Sequence, residues 1–344
     1  MDKNKIDLRS DTVTRPCSQM LEAMMTAEVG DDVFGDDPTV QKLEKKTADL
    51  FGMDAALFCA SGTMTNQLAI RTLCPPASEV ICDEFSHVFL YEGGGVALNA
   101  FSSIKTLKGN RGRISASQVA DSINNPDDIH KPVSRLVALE NTMNKGGGSI
   151  YDFQEILKIK QVCKENNLSL HLDGARLFNA LVETNENPLD FGRIFDTISI
   201  CLSKGLGCPV GSLLLGTKEL IEKARRFRKV MGGGWRQAGY LAGAGIYALD
   251  NNIERLKEDH QRAKAIGKII SRKPYVKEMY PIETNIVIFE LPETILAKDF
   301  ISKMADHNLL SIAFDKHAVR FVTHLDFTDK HLEQFEKIIN SVSI

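Results

Sequence analysis

The stretch DTISICLSKGLGCPVGSLLLG, residues 196–216, decides the fold. Two short runs, TISICLS and GSLLLGT, are apolar at nearly every position and flank a Gly/Pro turn whose one charge is Lys204. A strand that is apolar throughout, rather than at alternate positions, is covered on both faces. Strands of the same character lie upstream: AALFCAS from Ala55, SEVICDE from Ser78, SRLVALE from Ser134 and LSLHLDG from Leu168. Helical text such as FQEILKIKQVCKEN, from Phe153, separates them. This alternation predicts an α/β fold, a mainly parallel sheet with helices on both faces. A helix is expected at Pro38–Phe51, with Pro38 in its first turn and Gly52 just past its end.

A chain of 344 residues can bury a large core, and the expected division is a large α/β domain over residues 1–250 and a smaller α+β domain over 251–344. A long helical stretch from about Gly239 to Lys273 is expected to join them. Strands near TNIVIFEL, LLSIAF and AVRFVT follow, then a helix capped by Thr328 that stacks Leu332, Phe335, Ile338 and Ile339. The charge balance, 42 Lys plus Arg against 45 Asp plus Glu, favours neither nucleic acid nor an anionic membrane. The opening MDKNKIDLRSD has no apolar signal core, and the seven cysteines form no CxxC pair. The expectation is a soluble cytoplasmic protein with reduced thiols and no metal site.

Ligands in such sheets bind beyond the carboxyl ends of the strands, so polar residues just after strands carry the chemistry. In LSLHLDGARLFNA, Asp173 ends a strand and Arg176 follows; a surface turn explains them as well as a site does. An Asp so placed can hold the ring nitrogen of pyridoxal phosphate protonated, making the ring an electron sink. At roughly 4 Å and an effective dielectric near 20 that pair is worth about 4 kcal/mol, which corresponds to about three powers of ten in rate. Lys204, flanked by two apolar strands, suits imine formation with the cofactor aldehyde. Ser203 could donate to a phosphate, and Gly205 and Gly207 would let the backbone approach a ligand. Ser61, Gly62 and Thr63 stand between a strand and a helix, either as an ordinary N-cap or as a phosphate seat on free N–H groups. His87 follows another strand, before three glycines, as a ring-stacking group, a base or a structural histidine. Lys145, beside its own glycine run, is the rival lysine and ranks below Lys204. The string GAGIYA, from Gly243, has no strand before it and reads as close helix packing, not a dinucleotide fingerprint.

The motifs DLRSDTVT, VGDDVFGDDPTV, SGTMTNQ, SHVFLYEGGG, LENTMNKGGG, HLDGARLFNA, SKGLGCPVGS, GGGWRQAG and RFVTH span residues 7–324 in order. In these the chain closely resembles the low-specificity L-threonine aldolases, pyridoxal phosphate enzymes of fold type I, related to aspartate aminotransferase. The resemblance implies retro-aldol cleavage of a β-hydroxy-α-amino acid, threonine or allo-threonine, to glycine and an aldehyde. It implies that Lys204 forms the imine, that Asp173 holds the pyridine nitrogen and that His87 stacks on the ring. Gly62, Thr63 and Ser203 would hold the phosphate; Ser10, Arg176 and Arg320 would bind the substrate carboxylate. Lys229 and Arg236 would reach a neighbouring subunit's site, which implies a dimer-built site in a homotetramer. Met143 stands where the family commonly has a histidine contacting the substrate β-hydroxyl, and methionine cannot take that proton. His87 or an ordered water is then the expected base. A β-eliminating lyase, an aminotransferase or a serine hydroxymethyltransferase-like enzyme would use the same Lys and Asp, and a catalytically silent binding protein is the alternative outside enzymes.

Overall fold

A computed structural model describes residues 5–342. Its main sheet has seven strands, in the order Ala55–Cys59, Ser212–Gly216, Thr197–Cys201, Ser169–Gly174, Val133–Glu140, Ser78–Asp83 and Ser103–Leu107. Every neighbouring pair is parallel except the two made by Ser212–Gly216. The physical cause is length: residues 202–211 are too few for a crossover, so the chain returns antiparallel. The all-apolar strands serve both faces. Leu57 and Leu214 pack with Leu68 and Ile221 on one side, while Phe58, Leu213 and Leu215 join Leu43 and Phe51 on the other. The edge strand Ser103–Leu107 was not anticipated; its sequence SIKTL is half polar and it is only partly buried.

The Pro38–Phe51 helix forms as expected, capped by the Asp37 carboxylate and ended by Gly52 at φ 63°. The expected long helix does not. It is two helices, Gly239–Asn251 and Leu256–Ile270, broken where the buried Asn252 donates through Nδ2 to the Leu206 carbonyl at 2.8 Å. The GAGIYA glycines are packing sites: a Cβ at Gly243 would lie 2.7 Å from the Ala23 carbonyl, and one at Gly245 2.8 Å from Leu43.

The C-terminal part is a four-stranded antiparallel sheet, Ile312–Asp315, Ala318–Val322, Ile286–Glu290 and Glu278–Met279, with helices packed on it. The last of these, Asp329–Ser341, is capped by Thr328 and buries Phe335 and Ile339. The N-terminal segment departs from its expected grouping with residues 1–250. Its strand Ile6–Asp7 pairs with Leu309–Leu310, and Ile6 and Leu8 enter the C-terminal core with Phe289 and Phe321. Residues 8–14 then run towards the main sheet, so one short segment touches both parts. Among the described residues no helix is long and apolar enough to cross a membrane.

Candidate active site

Glu140, Asp173 and Cys201 stand at the carboxyl ends of three strands of the main sheet, and a cavity of about 270 Å³ opens beyond them. Lys204, Asp173, His87, Gly62, Thr63 and Ser203 line it, and so do Ser10, Arg176 and Arg320. Residues more than 300 positions apart in the chain, Ser10 and Arg320, are thus brought together.

Asp173 sits in a buried hydrogen-bond chain. Its Oδ2 accepts from Asn66 Nδ2 at 2.7 Å and its Oδ1 from the Ala175 N–H at 3.1 Å. The same Asn66 amide donates to Glu92 at 2.8 Å, and Glu92 also pairs with His87 Nδ1 at 2.9 Å. Asn66 Oδ1 lies 3.1 Å from His171 Nε2, whose Nδ1 is 2.8 Å from the Thr197 hydroxyl. Burial lowers the His171 pKa to about 4, so a neutral ring donates from Nε2 and accepts at Nδ1. Burial alone would lower the His87 pKa as well. The Glu92 hydrogen bond and the charges of Asp173, Glu92 and Glu140 outweigh it and raise the pKa above its ordinary value.

The opposite wall is cationic. Arg176 donates from Nε and Nη2 to the two oxygens of Asp11, both at 2.7 Å, a fully buried fork. Its charge, following burial that acts the other way, holds the Asp11 carboxyl well below the usual carboxylate range. Arg320 differs. It donates to Asn144 Oδ1 at 2.8 Å and to the Arg9 carbonyl at 3.2 Å, yet among the described residues no carboxylate pairs with it and its buried Nε has no partner. Burial, then the Arg176 charge, lowers its pKa to about 10. A buried guanidinium of this kind is suited to a carboxylate brought by a ligand.

Lys204 contacts the Cys201 sulfur at 3.7 Å. The Gly62–Leu73 helix points its N-terminus into the cavity, with Ser61 capping it by accepting from the Met64 N–H at 3.2 Å. Ser61 is therefore a cap and a cavity wall at once. Gly62 is required sterically, since a Cβ there would lie 2.6 Å from Cys201 Sγ.

Three of the expected site residues lie elsewhere. Met143 is fully buried outside the cavity, its side chain in the core against Gly112 and its backbone bridged to Ser149. Its neighbour Asn144 takes the place at the wall. Lys229 and Arg236 do not line this chain's cavity. Lys229 lies beside Gly234, and Arg236 pairs with Asp31 at 2.9 Å on the surface. Gly205 and Gly207 are also outside it, serving the turn, where Gly207 has φ 81°. Lys145 is held over the Phe314 ring at 4.2 Å, away from the cavity. Sequence reasoning missed Asp11, Asn66, Glu92, Glu140 and Asn144. Each lay inside a quoted motif, and Glu140 ends a strand, the same signal that singled out Asp173.

An amine, a strand-end carboxylate and a helix N-terminus around one cavity fit pyridoxal phosphate, matching its aldehyde, ring nitrogen and phosphate in turn. Such a site at the strand ends of a mainly parallel sheet marks a pyridoxal phosphate enzyme. The profile of the beta-eliminating lyase family matches residues 7–294. The low-specificity L-threonine aldolase of Escherichia coli is 42% identical over 330 residues, covering 96% of each chain. A probable low-specificity L-threonine aldolase 2 of Arabidopsis thaliana is 38% identical, covering 98% of each. The structure of a threonine aldolase from Leishmania major superposes with a TM-score of 0.84 at 21% identity, over 97% of this chain and 98% of that one. The chain belongs to the beta-eliminating lyase family, on its low-specificity L-threonine aldolase branch.

Proposed function

We propose that the protein cleaves L-threonine and L-allo-threonine to glycine and acetaldehyde. The observation that carries this reading is the sharing of one cavity by Lys204, Asp173 and an Arg320 that, among the described residues, pairs with no carboxylate and leaves its buried Nε without a partner. Bound pyridoxal phosphate supplies an aldehyde that condenses with amines and a ring that withdraws electrons. Lys204 would present the amine that holds it between turnovers. Asp173, oriented by Asn66, would accept from its ring nitrogen, and His87, oriented by Glu92, would stand against the ring. The N–H groups of Gly62 and Thr63, with Ser203, would hold the phosphate.

Arg320 and Arg176, with Ser10, hold the substrate carboxylate. Since Asp11 already neutralises Arg176, Arg320 supplies most of the net charge. Fixing the carboxylate selects which bond at Cα breaks, here Cα–Cβ rather than the bond to hydrogen or to the carboxylate. The β-hydroxyl proton leaves to His87 or to an ordered water; the buried Met143 takes no part. Lys229 and Arg236, surface residues here, serve the site of a second copy in a homotetramer, and the protein works in the cytoplasm.

Incubation with L-threonine and with L-allo-threonine tests the reading. Acetaldehyde and glycine in equal amounts are expected. Ammonia plus an oxo acid would instead assign β-elimination, and a protein without a cofactor band or turnover would be a silent binding protein.

A further inference from the structure

Glu140 does something that the steps above do not use. It ends the Val133–Glu140 strand in register with Asp173, is 4% exposed and lines the cavity. Its Oε2 accepts from the His87 backbone N–H at 2.8 Å, and its Oε1 from the Asn144 N–H at 2.9 Å. Asn144 Oδ1 in turn accepts from Arg320 Nη1 at 2.8 Å. One buried carboxyl therefore fastens two separate loops, one bearing the imidazole and the other the amide that aims the unpaired guanidinium.

We propose that Glu140 is a positioning residue that couples the two walls of the site, setting His87 and, through Asn144, aiming Arg320 at the substrate carboxylate. This rests on the aldolase reading of the site. The groups facing Glu140 are Asp173 and Arg176, Cys82 on the neighbouring strand, Tyr151, His87 with Glu92, and Arg320 by way of Asn144. Burial, then the Asp173 charge, raises the Glu140 pKa to about 7, while the two N–H bonds and the His87 charge oppose the rise. Its charge thus changes near neutrality. Ionised, it makes both N–H bonds charge-assisted and tightens the tether.

Glycine binding to the holoenzyme, measured by calorimetry on either side of neutral pH, tests the proposal. Wild-type affinity should rise through an inflection near neutrality. Glu140→Gln keeps one acceptor oxygen and loses the other, so affinity should fall about tenfold and the inflection should vanish. The kinetic loss should lie in KM more than in kcat. His87→Phe should keep the inflection but move it to higher pH, because the imidazolium that favours ionised Glu140 is gone. Asn144→Ala, which leaves Glu140 intact, should also weaken glycine; if Glu140→Gln does not fold, this variant decides. Glycine affinity within twofold of wild type in a folded Glu140→Gln, or in Asn144→Ala, overturns the proposal, as does an inflection surviving in Glu140→Gln. A wild-type protein that binds no glycine and releases no acetaldehyde sinks the aldolase reading itself, a different outcome.

Discussion

Lys204 and Lys145 both follow a strand and precede glycines, and only their surroundings separate them. Lys145 is engaged by the Phe314 ring and the Phe314 carbonyl, whereas Lys204 opens onto the cavity with Asp173. Lys204→Ala should lose the visible absorption band of the bound cofactor, and Lys145→Ala should retain it; the opposite pattern in the spectra would reverse the assignment. The flanking apolar strands made Lys204 legible in the sequence, whereas Asn66 and Asp11 lay inside motifs with no local feature to single them out. Their roles depend on partners 107 and 165 positions away. Met143 is the converse case: its place in a motif suggested a substrate contact, and its side chain lies in the core instead.

The Pro38–Phe51 helix was legible because both of its ends carry local signals, an Asp–Pro start and a Gly stop. Its cap also does a tertiary task. The buried Asp37 carboxylate accepts from Thr39 and Val40 at the helix start, and from Gly30 and Gly239, the latter at 2.8 Å. Asp37→Ala should lower stability by at least about 2 kcal/mol in urea unfolding, more than a simple cap, because buried N–H groups lose their acceptor. A loss within a few tenths of a kcal/mol would show that the cap acts only locally. The break at residues 252–255 was not legible, because it depends on the distant Leu206 carbonyl.

At the scale of the molecule, two buried groups give stability opposite pH dependences. The His171 pKa is about 4 in the fold against 6.5 ordinarily, so the unfolded chain binds the extra proton first. Its contribution is complete above pH 6.5 and fades towards about pH 4, a change of about 3 kcal/mol. Glu140, raised from 4.5 to about 7, contributes below pH 4.5, and that contribution is lost as pH rises through about 7. The two trends oppose each other between 4.5 and 6.5. Glu140→Gln should therefore make stability climb more steeply with pH there than in wild type, as read from urea midpoints; a parallel curve would refute the raised value. Assembly supplies a second test. Exposed Val33 lies beside Lys229 around Gly234, and the exposed Tyr91 ring lies 5.6 Å from that of His87. If Arg236 completes a second copy's site, mixing inactive Lys204→Ala with Arg236→Ala chains should restore activity that neither has alone. No recovery after subunit exchange would argue for self-contained sites.

The sequence by itself determined six of the seven strands of the main sheet, its mainly parallel order, and Asp173 and Lys204 at and just past strand ends. Hydrophobic periodicity and turn chemistry are local, and each strand carries its own pattern. Only the tertiary structure decided that Met143 faces the core, that the N-terminal strand joins the C-terminal part, and that among the described residues Arg320 has no carboxylate partner while Arg176 has Asp11. Those outcomes depend on which distant side chains meet in a dry interior, where one unmatched charge costs more than any local propensity can express.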